Sequence, residues 1–475
     1  QDTRILAEHP FSDIRKRMSV VVERDSTRLV AAKGAPESIV GICVAIQQHE
    51  GSTPLDAEGR RRVLEAADAM AERGLRVLAL AERPLATGEA VDAAVELAER
   101  DLVLLGLIGL EDPPRAEVAA AVHALQGAGI RVVMVTGDHP VTARAIAKRV
   151  GIDVRQVHRG AELDGIAEPE LARLARDTSL FTRIAPEHKL RVVRALQGQG
   201  EVVAVTGDGV NDAPALREAA IGVVMGRSGT DVAREAADLV LADDNFATVA
   251  EAVKTGRVLF ANLRKAIRYY LAAKVALVFA SLSAVLLKLP VPFEPTQIIV
   301  MELFMDLGAS VTFVAEPPEE DTMSLPPRNP HQPFMDRSMQ SSIVFGGLSL
   351  GVAVLVGYLA AWAHGADMIQ AQTAAFGAWM IGHVVLAAHM RSERQPLLRT
   401  NPFANRSYLV WLGAAVGLFV LSVTVPVLRE RLHLTALDPR LMAVVVAAAL
   451  LLPSWWEPWK WLHHRVGPSW MFQGE

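Results

Sequence analysis

Charge is spread so unevenly along this chain that no single solvent suits all of it. Of 48 basic and 53 acidic residues in 475, 28 lie between Ala266 and Glu475 and 73 in the first 265. Uncharged runs cover Val275–Leu287, Ser338–Ala366, Met368–Met390, Ser407–Leu428 and Leu441–Trp456. Crossing about 30 Å of hydrocarbon takes roughly 20 mostly apolar residues. Six membrane helices are therefore expected near 266–289, 293–315, 341–363, 371–390, 408–428 and 439–462. A purely soluble enzyme is excluded. A net charge of −5 and a mean hydropathy of +0.25 exclude a disordered or nucleic-acid-coating chain. The single cysteine, Cys43, excludes a disulfide framework and suits a reducing compartment. Gln1 opens in mid-pattern, so the chain reads as part of a longer one.

Loop charges orient the helices. Arg328 and Arg337 follow the second, and Arg391, Arg394, Arg399 and Arg406 follow the fourth. Both loops belong on the cytoplasmic side, together with the C-terminus, where Trp455, Trp456, Trp459 and Trp461 suit an interfacial belt. Arg429, Arg431 and Arg440 fit this orientation less well.

The front half alternates strand and helix patterns. Leu102–Leu110 and Ile130–Val135 are apolar strand runs, and Ala116–Gly127 and Val141–Val150 read as helices. Val202–Val205 is another strand, ending at Thr206-Gly-Asp-Gly209. Strands that end in small and acidic residues before helices indicate a parallel doubly wound sheet, whose ligands sit at the strand ends.

Thr206 to Leu216 carries the sharpest chemistry. Asp208 and Asp212 lie four apart at a strand-to-helix turn, with Asn211 between them. Two carboxylates at a strand end make an oxygen-rich site suited to Mg²⁺, and the glycines let backbone approach a phosphate. The plain alternative is a turn with an Asp cap. Val135-Thr-Gly-Asp138 repeats the arrangement, with Thr136 offering a hydroxyl and Gly137 and Asp138 completing the turn. Lys189 supplies a fixed positive charge.

This set resembles the phosphorylation domain of P-type ATPases, which has a haloacid-dehalogenase-like fold. The match runs from Asp112-Pro-Pro-Arg115 to Leu241-Ala-Asp-Asp-Asn-Phe246, with membrane helices following as that family requires. The resemblance implies that Asp208 binds Mg²⁺ with Asp212 behind it. It implies that Asn211 and Asp212 hold the phosphate network and that Thr136 and Lys189 contact an acyl phosphate. Asp112 and Arg115 fall at the domain hinge. Upstream, Phe11, Lys16, Lys33-Gly34 and Arg76 look like the family's ATP-binding residues, with Phe11 stacking on adenine. The implied divisions are 1–111 (nucleotide-binding, C-terminal part), 112–255 (phosphorylation, lacking its first strand) and 256–475 (membrane).

Two look-alikes are set aside. Thr87-Gly-Glu89 mimics the family's dephosphorylation loop inside the wrong region, and Ala7-Glu-His-Pro10 mimics a heavy-metal-pump motif that six following helices contradict. Lys33-Gly-Ala-Pro-Glu37 instead suits the calcium, sodium and proton branches. The family's acceptor Asp-Lys-Thr-Gly-Thr does not occur in the chain. The missing N-terminal half is thus an expected partner, beside the lipid bilayer, and the chain is expected to be inactive alone.

Glu302 and Asp306 share a face of the second membrane helix. Ionisable groups at membrane depth are usually functional, although an interfacial pair in a tilted helix is the alternative. By resemblance, both fall on cation-ligand positions of calcium pumps. Lys274 and Leu277 depart from that pattern, standing where calcium pumps have Asn and Glu. Lys274 is either a built-in counter-charge to the two acids or a residue snorkelling to the interface. His383 and His389 are expected to be packing or interface residues. Ca²⁺ is the first expectation for the cargo, and protons or a monovalent cation the second. A non-catalytic half-pump and a membrane-anchored phosphatase remain rival functions, and a plasma-membrane location is expected.

Overall fold

In the computed structural model, the described residues are 3–24, 27–49, 51–85, 95–111, 113–392, 397, 401, 403–455 and 457–458. They form two units, Gln1–Glu251 and Ala252–Glu475.

The first unit opens with a seven-stranded sheet. Its strands are β1 (Thr3–Ser12), β2 (Arg17–Arg24), β3 (Thr27–Gly34), β4 (Cys43–Gln48), β5 (Gly51–Pro54), β6 (Arg76–Pro84) and β7 (Leu102–Leu110), in the order β1-β2-β3-β6-β7-β4-β5. All neighbours are antiparallel except β4 and β7. Val21, Val30, Ile39, Ala79, Leu102 and Leu104 form its core.

Two short parallel sheets follow. One holds β8 (Met134–Val135), β9 (Val157–Arg159) and β10 (Leu180–Thr182) in the order β8-β10-β9. The other holds β11 (Ala204–Gly207), β12 (Ile221–Met225) and β13 (Leu239–Leu241), in that order. The parallel sense agrees with the sequence, but the strands divide into two sheets of three rather than one. The run Ile130–Val135 is strand only at Met134 and Val135, because β10, its partner among the described residues, pairs at just those two positions. Helix α1 (Pro186–Gln197) begins with proline, whose missing N–H costs nothing in a first turn.

The second unit is helical. Helix α2 runs unbroken over Ala247–Leu286, joining the expected first span to the residues before it. Then come α3 (Pro295–Val314), α4 (Arg337–Ala363), α5 (Met368–Met390) and α6 (Arg406–Thr424). These five are long and apolar enough to cross a membrane, whereas the sixth expected span begins as the shorter α7 (Pro439–Leu451). Its continuation beyond residue 458 lies outside the described residues, as do Trp456, Trp459 and Trp461. Asp336, Asp367 and Asn405 cap α4, α5 and α6 through backbone N–H groups. Small residues let α2 and α4 approach closely: a Cβ on Gly347 would lie 2.5 Å from the carbonyl oxygen of Ala272.

Candidate functional site

Strand register gathers the expected nucleotide residues at one end of the seven-stranded sheet. Arg17 faces Gly34, Met18 faces Lys33, and Gly34 faces Ala79, three residues beyond Arg76. Phe11, at the end of β1, is 58% exposed, and Lys33 and Arg76 are exposed as well. Lys16 is in the left-handed conformation (φ 52°), and its carbonyl accepts from Ala35 N at 2.9 Å. Gly34 lies beneath this turn, where a Cβ would come within 2.6 Å of the Lys16 carbonyl oxygen. An aromatic ring and three cations thus share one accessible edge. Arg115 serves elsewhere, with its guanidinium donating to the carbonyl of Asp244.

The chemistry-bearing turns lie at the ends of β8 and β11. Thr136 Oγ1 donates to Asp138 Oδ2 at 3.0 Å and accepts from Asp138 N at 3.1 Å. Thr136 N is held by the carbonyl of Phe181 at 2.9 Å, and its own carbonyl takes Ile184 N at 3.1 Å. Two residues after Ile184, α1 begins, and its Lys189 Nζ reaches Asp212 Oδ1 at 2.7 Å. The second carboxylate oxygen of Asp212 accepts from Asp208 N at 3.0 Å and Gly209 N at 3.3 Å. Burial pushes the Asp212 carboxyl upward, but Lys189 and the backbone donors outweigh it and hold it below the usual range. Gly207 must be glycine here, since a Cβ would sit 2.5 Å from Asp212 Oδ2.

Asp208 and Asn211 remain exposed beside this locked carboxylate. Among the described residues, no group of three His, Cys, Asp or Glu could hold a metal ion. Asp208 therefore presents one hard oxygen donor, which fits a Mg²⁺ completed by phosphate and by oxygens from elsewhere. Asp112 and Thr87-Gly-Glu89 lie outside the described residues.

In the membrane unit, α3 widens into a π-helical segment over Met301–Leu307, the stretch bearing both acids. Such widenings recur at functional sites. Lys274 Nζ donates to Asp306 Oδ2 at 2.6 Å and also to Glu302. The ring of Tyr270 lies beneath the ammonium, 4.5 Å from its centroid. Asp306 is 1% exposed, and its Oδ1 lies 2.7 Å from His383 Nε2 without the angle of a hydrogen bond. His383 was expected to be a packing or interface residue rather than a ligand. It does stack on Trp379, at 4.9 Å between centroids, but it also lies against the buried Asp306 carboxylate.

Similarity to known proteins follows the same division. Residues 1–117 match the family described as P-type ATPase, cytoplasmic domain N, and residues 290–462 match Cation transporting ATPase, C-terminus. The Calcium-transporting ATPase of Bacillus subtilis is 39% identical over 444 residues, 92% of this chain and 49% of that protein. This chain belongs to the P-type cation-transporting ATPases. Calcium-transporting ATPase 1 of Bacillus cereus is 33% identical, over 94% of this chain and 52% of the relative. The Probable cation-transporting ATPase F of Mycobacterium tuberculosis is 38% identical, over 88% and 46%. The chain spans about half the length of these relatives.

Within this P-type ATPase segment, two features escaped the sequence. Glu99 is buried against Arg15, Arg17 and Ser19, yet in Leu97-Ala-Glu-Arg-Asp-Leu102 it reads as one more surface acid. Arg391 was counted as a loop charge. It is buried against Glu316, at 2.8 Å, and lies over the Tyr408 ring at 4.7 Å. Asn405 Nδ2 donates to the other oxygen of Glu316 at 2.6 Å.

Proposed function

We propose that this chain is the C-terminal portion of an ATP-driven cation pump, with Ca²⁺ as the first candidate cargo. The observation that carries the catalytic half is the Asp212 carboxylate, shared between Lys189 and the backbone of Asp208 and Gly209. It fixes an ammonium and a free carboxylate, that of Asp208, side by side at a strand end. ATP would lie on Phe11, Lys16, Lys33, Gly34 and Arg76, with Arg115 at the hinge. Thr136, Gly137, Asp138, Lys189 and Asn211 would surround the transferred phosphoryl group. Mg²⁺, held by Asp208 with Asp212 behind it, would neutralise charge developing on that group.

The acceptor aspartate would come from the N-terminal half. Two edges support a haloacid-dehalogenase-like domain completed by that half. Among the described residues, β8 pairs only with β10 and β11 only with β12, and both are parallel strands ending in the candidate residues. A further parallel strand between them would join the two small sheets. The reading places the catalytic unit on the cytoplasmic side of a plasma membrane.

Glu302 and Asp306 would carry the cation. Two carboxylates suit a hard divalent ion, and two of the relatives named above are called calcium-transporting. A second reading, proton or monovalent transport, is favoured by Lys274, because its ammonium already engages both acids.

The test joins this chain to its N-terminal half and measures phosphoenzyme from radiolabelled ATP while varying the cation. Ca²⁺-dependent labelling that vanishes in Asp208→Asn is expected. Labelling that survives this substitution would remove Asp208 from the Mg²⁺ site. Labelling indifferent to Ca²⁺ would favour the second reading.

A further inference from the structure

Phe11 lies at the end of β1 and Lys16 closes the four-residue turn, Asp13–Lys16, that leads into β2, and a turn of that length is not rigid by itself. Here it is tied at every side. Lys16 N donates to the Ser12 carbonyl at 2.6 Å, and Arg15 Nη2 donates to the Pro10 carbonyl, next to Phe11, at 2.7 Å. Ser38 Oγ donates to the Arg15 carbonyl at 2.6 Å and accepts from Arg17 Nη1 at 3.0 Å.

Both arginines converge on one acid more than 80 residues away in sequence. Glu99 Oε1 accepts from Arg15 Nη1 at 2.5 Å and Ser19 Oγ at 3.0 Å, and Oε2 accepts from Arg17 Nε at 2.6 Å. The residue is 3% exposed. A buried carboxylate is costly unless it is paired and hydrogen-bonded, so this one constrains its partners strongly. Glu99 holds both guanidinium groups in place, and through them the turn.

We infer that Glu99 is a positioning residue for nucleotide binding, clamping Arg15 and Arg17 so that the ring of Phe11 and the ammonium of Lys16 face the ligand together. The inference rests on the nucleotide site proposed above. Glu99 itself touches no ligand and acts through the turn. One acid against two arginines also leaves a net positive charge beneath the turn, which suits an anionic nucleotide.

The probe is trinitrophenyl-ATP, titrated by fluorescence into the detergent-solubilised full chain, with thermal unfolding followed in parallel. Phe11→Ala and Glu99→Gln are each expected to weaken binding about tenfold, as loss of a stacking or charge-assisted contact predicts. The double variant should be little weaker than either single one, because both remove the same ring placement. An unfolding midpoint unchanged in Glu99→Gln would separate this role from general support.

Wild-type affinity in folded Glu99→Gln, or a double variant as weak as the product of the single effects, overturns the inference alone. Failure of the parent chain to bind the probe overturns the nucleotide site and the inference together. If Glu99→Gln does not fold, Ser38→Ala decides. It cuts the link from Arg17 to the Arg15 carbonyl and should weaken binding about threefold, as loss of one modest hydrogen bond predicts. Unchanged affinity there overturns the inference.

Discussion

The ammonium of Lys274 and the carboxylate of Asp306 meet at 2.6 Å from two neighbouring helices, 32 residues apart in sequence. The pair shares Asp306 with His383 on a third helix. Removing the half-buried ammonium leaves the buried Asp306 carboxylate uncompensated, which is costly. Lys274→Met should therefore lower the unfolding midpoint of the solubilised chain by roughly 5 °C or more. Millimolar Ca²⁺ should restore part of that loss in the variant and do little for the parent, because a cation then replaces the ammonium. Equal effects of Ca²⁺ on both proteins would show that Lys274 does not occupy the cation's place.

Acid should loosen the turn at the end of β11 in a defined way. Asp212 titrates below its unfolded value of about 3.9, so its stabilisation is fully present above that pH. It is lost as pH falls through the depressed folded value. Asp212→Asn should flatten the stability profile below about pH 4 and leave its slope near pH 7 unchanged, as read by chemical denaturation at each pH. An unaltered acid limb would show that Asp212 does not titrate below its unfolded value in the folded chain.

Cys43 is buried in the seven-stranded sheet, and burial pushes its thiol up to about 11, although Arg60 pulls the other way. The thiolate is the reactive form. Iodoacetamide at pH 8 should leave the folded chain unlabelled and label it once in denaturant, by mass spectrometry. Rapid labelling of the folded chain would place Cys43 outside the core.

Arg391 and Glu316 form a buried pair, with Glu316 also bound by Asn405. Glu316→Ala is expected to destabilise by about 3–5 kcal/mol, and adding Arg391→Ala should cost little more or recover part of the loss. Thermal unfolding of Glu316→Ala, Arg391→Ala and the double variant in one detergent checks this. Additive losses would mean the two side chains act separately.

Legibility in the sequence depended on how local the physics was. Hydropathy located the five long spans, because each depends only on its own residues and the solvent around it. Asp208, Asp212 and their glycines were readable for the same reason, since the turn is closed by contacts within five residues. Glu99 and His383 were opaque because their meaning comes from partners on distant elements, about 80 residues away in each case. A charge or imidazole looks identical in sequence whether it faces water or a buried counter-group. The division of the parallel strands was equally hidden, because pairing is decided by which neighbour lies alongside.

Helix α2 is 40 residues long and contains no proline and one glycine, Gly256. At 1.5 Å per residue its axis is about 60 Å, twice the apolar thickness of a bilayer. Such a shaft has no joint at which bending could be absorbed. Lys274 lies on the inner half of that shaft, so rotation about the helix axis is felt at the ammonium that the two acids hold.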